Sequence, residues 1–376
     1  MNRVSSALAA LTLGLASAGC GQEEPLPQAG ARLTAERAAL KKLLLPMLRL
    51  EGTRLAREAQ ALLTALPDCD SIESQAPNGD FAALREGLHC SKAGENSPLT
   101  DDWPVTLQWP LETGGTIEAR LRHGPSGEIE IEARLPRPEA NALPALLIPA
   151  AKPVGPAILS SRERLLHARF RPAAGIQIAR LVKSGSQADQ LFRLKSALFS
   201  GAVLDGTWES AIYLPARPGA LTRAALALGF QRRSLATAAM EHFIEDLRKT
   251  WPVTRTPFAF GLATGACLLD MNVLPGLAPC YLATDRAIVV GWNPASLRLA
   301  LEPQGPLDDS GAATLGERGG VWVDLDRFAE ADARLAAETG DTPSTLVLPW
   351  RRLRIEPETS GGDVLVRVWL TPAEDS

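Results

Sequence analysis

The strongest constraint on the fold of this chain is a series of three runs in which apolar and polar residues alternate. The apolar positions are Val105, Leu107, Trp109, Leu111, Ile117, Ala119, Leu121, Ile129, Ile131, Ala133 and Leu135. Turn-forming residues, Glu112–Gly115 and His123–Gly127, separate the runs. Because successive side chains of a strand point to opposite faces, this pattern predicts an antiparallel β-meander with one apolar face.

A leucine-rich stretch precedes the meander and predicts the helix that covers its apolar face. Between Leu33 and Leu66, apolar residues recur at steps of three and four, which is the spacing of one helix face. Pro46 removes one backbone donor inside this stretch, so we expect a kink or two consecutive helices there. Pro67 ends the element.

Six prolines between Pro136 and Pro156 predict a domain boundary, since proline fits neither a helix interior nor a strand ladder. The apolar residues among them indicate a segment that packs on a neighbour. The predicted organisation is a signal peptide at 1–19, a flexible tether at 20–30, a helix and meander domain at 31–136, a proline-rich apolar connector at 137–157 and an α+β domain at 158–376.

The second half of the chain alternates predicted strands and helices. Helices are expected at Pro218–Leu228, from Ser234 onward, at Ala295–Leu301 and at Phe328–Glu338. Short turns join most of the strands between them. The predicted fold class is therefore α+β, with mainly antiparallel sheets and packed helices, in which an N-terminal amphipathic helix is followed by a β-meander.

The N-terminus has the composition of an export signal. Arg3 supplies a positive start, Ala7–Ala16 is an apolar run too short to span a bilayer, and small residues lead into Cys20. This arrangement resembles a bacterial lipoprotein signal. The resemblance implies that Cys20 becomes the first residue of the mature chain and carries acyl chains such as palmitate, which anchor the protein to a membrane.

The residue that follows Cys20 bears on the destination of the exported chain. Gly21 follows the cysteine in place of an acidic residue, and by resemblance to lipoprotein sorting this favours the outer membrane, facing the periplasm. The alternative is ordinary secretion with cleavage after Ala18, which would leave Cys20 as a spare thiol.

The other four cysteines form two pairs that are close in sequence. Cys69 pairs with Cys90 and Cys267 with Cys280 if each cysteine bonds its neighbour, although four cysteines allow three pairings. Each bridge would restrict the unfolded chain by about 3 kcal/mol. The spacing is not that of a metal site, so we expect two structural disulfides in an oxidising compartment.

Composition and motifs exclude several functions. The formal net charge is -4 and the charges are interspersed, so no nucleic-acid partner is expected. The four histidines, His89, His123, His167 and His242, fall in no catalytic or metal-binding motif. We therefore expect no catalytic residue, no cofactor and no metal, and we predict that the protein is not an enzyme.

Paired carboxylates keep a hydrolase open as an alternative. The pairs are Asp68/Asp70, Asp101/Asp102, Asp308/Asp309 and Asp324/Asp326. Two carboxylates can divide the acid and base roles of glycoside hydrolysis. Aspartate is also common in loops, and Asp326 stands where it would cap a helix beginning near Arg327.

Tryptophan is unusually frequent in comparison with tyrosine, with eight residues against two. Exposed tryptophans would stack on the sugars of an envelope glycan or lie in a protein interface. The opposite interpretation is that they fill the core where strands begin.

Five segments follow one another in the second half: Phe199–Val203, Trp208–Leu214, Tyr281–Gly291, Ala295–Leu301 and Gly320–Leu325. Their order across residues 165–340 resembles an uncharacterised group of bacterial envelope proteins classified only as a domain of unknown function. The resemblance implies an exported, β-rich fold and no particular chemistry.

Together these features predict a membrane-anchored envelope lipoprotein with a binding or scaffolding role. An alternative is a carrier that holds a lipid or another apolar ligand against the apolar sheet face. A cell-wall hydrolase is the further alternative. The expected partners are the membrane, through the acyl chains, and an envelope protein or glycan.

Overall fold

The structure is a computed structural model that describes most of the chain from residue 30 onward. The described residues are 30–50, 53–76, 81–91, 99–100, 102–111, 115–125, 127–136, 148–150, 152–155, 157–160, 163–171, 203–214, 223–250, 253–270, 277–302, 315, 319–331, 349–360 and 363–373. The predicted signal peptide and Cys20 lie outside them.

Strands dominate the described residues. In chain order they are β1 (Ala31–Glu36), β2 (Ser71–Ala76), β3 (His89–Cys90), β4 (Val105–Pro110), β5 (Thr116–His123), β6 (Ile129–Leu135), β7 (Arg164–Phe170), β8 (Leu204–Tyr213), β9 (Arg223–Phe230), β10 (Thr254–Phe260), β11 (Ala263–Leu269), β12 (Cys280–Ala283), β13 (Ala287–Gly291), β14 (Gly320–Asp324), β15 (Trp350–Ser360) and β16 (Asp363–Pro372).

Helices are fewer and mostly short. They are α1 (Arg37–Leu44), a 3-10 helix (Leu45–Arg49), α2 (Arg54–Ala65), α3 (Phe81–Glu86), α4 (Arg233–Thr250), α5 (Pro294–Leu301) and α6, whose described residues are 325–331. No helix in the described ranges has both the length and the apolar character needed to cross a membrane. The chain divides into two compact units, one of residues 1–138 with 346–376 and one of residues 139–345.

The first unit contains an antiparallel sheet in the order β15-β16-β6-β5-β4-β1-β2-β3. Its register places Leu107 opposite Ala119 and Leu121 opposite Ile131, so the alternating apolar residues share one face, as the sequence predicts. The other face carries cross-strand ion pairs such as Arg122–Glu130, with Nε and Oε2 2.6 Å apart. Helix α1 packs against β5.

The second unit has helices on both faces of its sheet, whose order is β10-β11-β12-β13-β9-β8-β7-β14. Helix α4 covers one face, where Met240, Ile244 and Leu247 pack against Tyr281 and Ile288. Helix α5 and the segment 157–160 cover the opposite face, in a core that includes Leu159, Ala211, Leu282, Val289 and Leu297. The central strands are therefore buried on both sides.

The predicted α+β fold class is wrong, because the described residues form sixteen strands in antiparallel pairings with only a few helices beside them. Strand β9 is one cause of the error. Its alanines and leucines predicted a helix at 218–228, but they form a strand between β8 and β13 whose two faces are both buried, and such a strand shows no alternation. Strand β1 likewise occupies the start of the predicted leucine-rich helix.

Of two further boundaries, one agrees with the sequence analysis and one differs. Pro46 is the second residue of the 3-10 helix between α1 and α2, so the leucine-rich stretch divides there as expected. The sequence analysis places the C-terminal hairpin β15–β16 in the domain at 158–376, whereas β16 pairs with β6 and the hairpin falls in the first unit. Sheet pairing at such sequence distance leaves no trace in local composition.

Candidate functional site

Charged residues line one face of strand β7, inside the second unit. Arg169 lies opposite Glu209 and His167 lies opposite Ala211 in the pairing of β7 with β8. Directly opposed residues of antiparallel strands share a face. This face is the one covered by segment 157–160, so charged side chains are enclosed between a sheet and an apolar segment.

A register shift brings a second arginine onto the same face. Arg164 pairs with Tyr213, and the shift lies between Arg164 and Leu166. In a regular strand Arg164 and His167, three residues apart, would point to opposite faces, and the extra residue of a bulge reverses that outcome. We call Arg164, His167, Arg169 and Glu209 the buried ionic cluster.

Glu209 is the centre of the cluster. Its Oε1 atom lies 2.7 Å from Nε2 of His167 and accepts a 3.0 Å hydrogen bond from the Leu159 backbone N–H. Its Oε2 atom accepts a 2.8 Å hydrogen bond from the Ile158 N–H and lies 3.6 Å from Nε of Arg169. The carboxylate therefore fastens segment 157–160 to the sheet while it is paired with a cation.

Burial sets the protonation states of the central pair. Burial lowers the pKa of His167 from 6.5 to about 4, although the hydrogen bond with Glu209 opposes the shift. Burial by itself raises the pKa of Glu209, but the hydrogen bond from His167, the Ile158 N–H and Arg169 together bring that pKa below its ordinary value. At neutral pH we therefore describe a neutral imidazole that donates to an ionised carboxylate.

The two arginines of the cluster differ in their partners. Arg169 donates through Nη2 to the Gly155 carbonyl and pairs with Glu209. The Nε and Nη1 atoms of Arg164 are buried and have no hydrogen-bond partner in the described residues. Burial lowers the pKa of both guanidinium groups.

A glycine allows the chain to approach this cluster closely. Gly319, with φ of 83°, precedes β14, and a Cβ atom there would collide with the Arg169 carbonyl oxygen and approach Val154. Only glycine combines the positive φ with this contact at low energy. The entry into β14 can therefore lie against β7 beside Arg169.

The arrangement suits a structural clamp better than a reaction centre. The side chains of His167 and Glu209 expose 4% and 1% of their surface. A general base has to reach a proton of its substrate, and both acceptor atoms of Glu209 are already engaged within the protein. The chemistry available to the cluster is charge stabilisation and the fixing of segment 157–160.

The predicted cysteine pairs are close enough in space to form disulfides. The sulfur atoms of Cys69 and Cys90, in the first unit, lie at bonding distance with Cα atoms 5.9 Å apart. Those of Cys267 and Cys280, directly opposed on β11 and β12, also lie at bonding distance. Each unit therefore contains one described cysteine pair at disulfide distance.

The other three histidines are scattered. His89 is exposed and its Nδ1 atom lies 2.9 Å from the Gly87 carbonyl oxygen, and His242 is exposed on α4. Burial and the charge of Lys42 lower the pKa of His123 at the end of β5. None of the three joins the buried ionic cluster.

The structure describes only part of the acidic pairs, and the described members have other partners. Asp68 is exposed and lies 3.0 Å from Arg37, while Asp101, Asp308 and Asp309 fall outside the described residues. Asp324, not Asp326 as predicted, caps helix α6, because its Oδ1 atom accepts a 3.0 Å hydrogen bond from the Arg327 N–H. Asp324 is also 3.6 Å from the Arg327 guanidinium.

The described tryptophans divide between core and surface. Trp322 and Trp350 are buried, whereas Trp292 exposes 43% of its surface at the end of β13. The guanidinium of Arg122 stacks 4.6 Å from the Trp103 ring and that of Arg354 4.5 Å from the Trp369 ring. Trp251 lies outside the described residues.

Sequence reasoning missed the buried ionic cluster. Its one local signal is the spacing of His167 and Arg169, two polar residues on one face of a strand whose other residues are mostly apolar. Glu209 joins them only through the pairing of β7 with β8. No group of three or more histidine, cysteine or acidic residues able to hold a metal occurs within the described ranges.

No protein-family model, curated protein or solved structure matches this chain. Two features of the described residues bear on function: a cysteine pair at disulfide distance in each unit, and a sheet-dominated fold whose charged cluster is enclosed.

Proposed function

We propose that this chain is an exported, lipid-anchored protein of the bacterial cell envelope that acts by binding or scaffolding and not by catalysis. The observation that carries the proposal is the presence of a disulfide-distance cysteine pair in each of the two units. Disulfides persist in oxidising compartments such as the bacterial periplasm. An exported chain fits the apolar run that precedes Cys20.

Anchoring through Cys20 follows from the same reasoning. Four of the five cysteines are accounted for by the two pairs, which leaves Cys20 without a partner in its own chain. A spare thiol in an oxidising compartment is reactive, whereas acylation removes it. We therefore propose attachment to the outer membrane by acyl chains, with the two units facing the periplasm.

The burial of the polar cluster and the exposure of an aromatic ring support the binding role. The enclosed Glu209 holds the backbone of segment 157–160, and Glu209 and its partner His167 leave little surface for a substrate. Broad sheets offer recognition surfaces, and Trp292 presents an exposed aromatic ring suited to a protein or glycan partner. The proposed partner is another component of the envelope.

Mass spectrometry of the native protein from separated membrane and periplasmic fractions tests this proposal. We expect a membrane-bound species that begins at Cys20, carries acyl mass and lacks four hydrogens, two for each disulfide. Recovery of an unacylated species that begins at Gly19, in the soluble fraction only, would rule out the anchor.

A carrier of lipid or another apolar ligand is the second candidate, and one observation favours it. The apolar face of the meander is only half-buried at Leu107, Ile117, Leu121 and Ile131. Apolar side chains on a face that is incompletely covered can contact a ligand.

Organic extraction of the purified protein followed by mass spectrometry tests the carrier. A stoichiometric apolar compound is expected from the parent protein and a reduced amount from Leu107→Glu. Gln108→Glu, on the opposite face of the same strand, is the matched control and keeps the ligand. An empty parent protein would remove the carrier function without affecting the anchoring proposal.

A further inference from the structure

Arg164 is a buried cation without a counter-ion. The residue exposes 7% of its surface, and its Nε and Nη1 atoms are shielded from solvent with no hydrogen-bond partner. Across the described ranges, no carboxylate forms an ion pair with it. A buried guanidinium that lacks both an anion and acceptors is strongly unfavourable. The described residues therefore lack a group that would pair with Arg164.

A second buried donor without an acceptor lies on the same face of the sheet. The indole Nε1 of Trp322 is buried and has no hydrogen-bond partner. Trp322 of β14 pairs with His167 of β7, and the bulge places Arg164 on the face of His167. Neighbouring strands β7 and β14 thus present guanidinium and indole N–H groups toward the same side, and the described residues supply no acceptor for Nε or Nη1 of Arg164 or for Nε1 of Trp322.

Among the described groups that act on Arg164, the charges leave an excess of one positive charge. These groups are Tyr213, Glu209 and the guanidinium groups of Arg169 and Arg327. Burial raises the pKa of Tyr213, so its hydroxyl is neutral. Glu209 is engaged by Arg169, and Arg327 is paired with Asp324 at 3.6 Å, so two described carboxylates accompany three guanidinium groups and a single negative charge would balance them.

We propose that a small monovalent anion, of the size of chloride or formate, binds beside Arg164 and accepts hydrogen bonds from its guanidinium and from the indole N–H of Trp322. Hydrogen bonds from a cation to an anion are among the strongest in proteins. We propose a small occupant because both donor residues are buried. The bulge between Arg164 and Leu166 serves this site, since it turns Arg164 toward the cluster.

Chemical unfolding at constant ionic strength tests the site. Sodium gluconate, whose anion is too large to enter, is replaced stepwise by sodium chloride or by sodium formate. A bound anion lowers the unfolding equilibrium constant by the factor 1 + [anion]/Kd, which is about 100-fold when the anion concentration is 100 times its dissociation constant. An effect of this form from chloride alone assigns the site to a halide and from formate alone to a carboxylate. No decrease in the unfolding constant with either anion overturns the inference.

Two arginine variants separate the site from general salt effects. Arg164→Gln is expected to lose the anion-dependent decrease of the unfolding constant. Arg286→Gln, which removes an exposed arginine of the same unit, is expected to keep it. Equal anion dependence in both variants would contradict the proposal.

Crystals of the unmodified protein provide a second test of the site if Arg164→Gln does not fold. Bromide replaces chloride and is located by its anomalous scattering. The expected peak lies within hydrogen-bond reach of Arg164 and Trp322. The absence of this peak at saturating bromide, together with the absence of formate from crystals soaked in formate, overturns the site.

Discussion

The Nε2 atom of His167 lies 2.7 Å from Oε1 of Glu209, and both side chains are buried in the second unit. The two residues are separated by 42 positions in sequence, so their contact depends on the pairing of β7 with β8. The same carboxylate holds the backbone of Ile158 and Leu159. Stability of the second unit should therefore respond to the protonation of this pair.

The first prediction concerns the dependence of stability on pH. The pKa of His167 falls from 6.5 in the unfolded chain to about 4 in the folded one, so between these values the unfolded chain binds the additional proton. Stability is therefore lost as pH falls through that window, by about 2 kcal/mol from this residue between pH 7 and pH 5. Urea unfolding at both pH values measures the loss.

The variant for this measurement is His167→Gln, whose amide can still donate to Glu209 but does not titrate. We expect it to lack the contribution of His167 to the decrease between pH 7 and pH 5. His242→Gln, at an exposed histidine, is the control and retains the full decrease. Identical pH profiles for the parent protein and His167→Gln would show that His167 does not titrate as described.

Glu209→Gln is predicted to destabilise the second unit strongly. The substitution keeps the shape of the side chain but removes the charge that Arg169 faces and weakens the bonds to segment 157–160. Breaking a buried ion pair from one side costs about 3–5 kcal/mol. Glu245→Gln, on the exposed face of α4, should change the unfolding free energy by less than about 0.5 kcal/mol. Similar losses of unfolding free energy in both variants would contradict the role of Glu209 in holding segment 157–160.

Removal of the Cys267–Cys280 disulfide is predicted to lower stability by about 3 kcal/mol, because the bond closes a short loop in the unfolded chain. The double variant Cys267→Ser/Cys280→Ser is compared with the parent protein by urea unfolding without reductant. Addition of reductant should destabilise the parent protein more than the variant, because only the parent protein has the Cys267–Cys280 bond to lose. Equal stability without reductant would argue against the bond in solution.

Asp324→Ala is predicted to cost about 1 kcal/mol through loss of the cap on α6. Asp324→Ser keeps a side chain that can cap a helix and should recover most of that loss. A measurable hydrolysis of cell-wall glycan that disappears in both variants would instead assign Asp324 a catalytic role.

Local pattern allowed several elements of the fold to be predicted. Alternation at Val105, Leu107 and Trp109 identified β4, and Asn293 followed by proline identified the start of α5, where its side chain accepts a hydrogen bond from the Ser296 N–H. Both signals are contained within a few residues. The short separations of Cys69 from Cys90 and Cys267 from Cys280 likewise identified the pairs that lie at bonding distance.

Other features depend on contacts that no local pattern contains. Strand β9 was mistaken for a helix because burial on both faces removes alternation, and its alanines and leucines also favour helices. Arg164 joins His167 only because the strand has a register shift, which depends on pairing with β8. The predicted α+β class failed for the same reason, since sheet pairing over long distances decides how much of the chain is strand.

Labelling of the protein with radioactive palmitate tests the central claim, attachment through Cys20, most directly. In a host with working lipid-transfer enzymes, we predict label on the parent protein and none on Cys20→Ala, with both chains exported. An unlabelled parent protein, or equal label on both chains, would contradict the account.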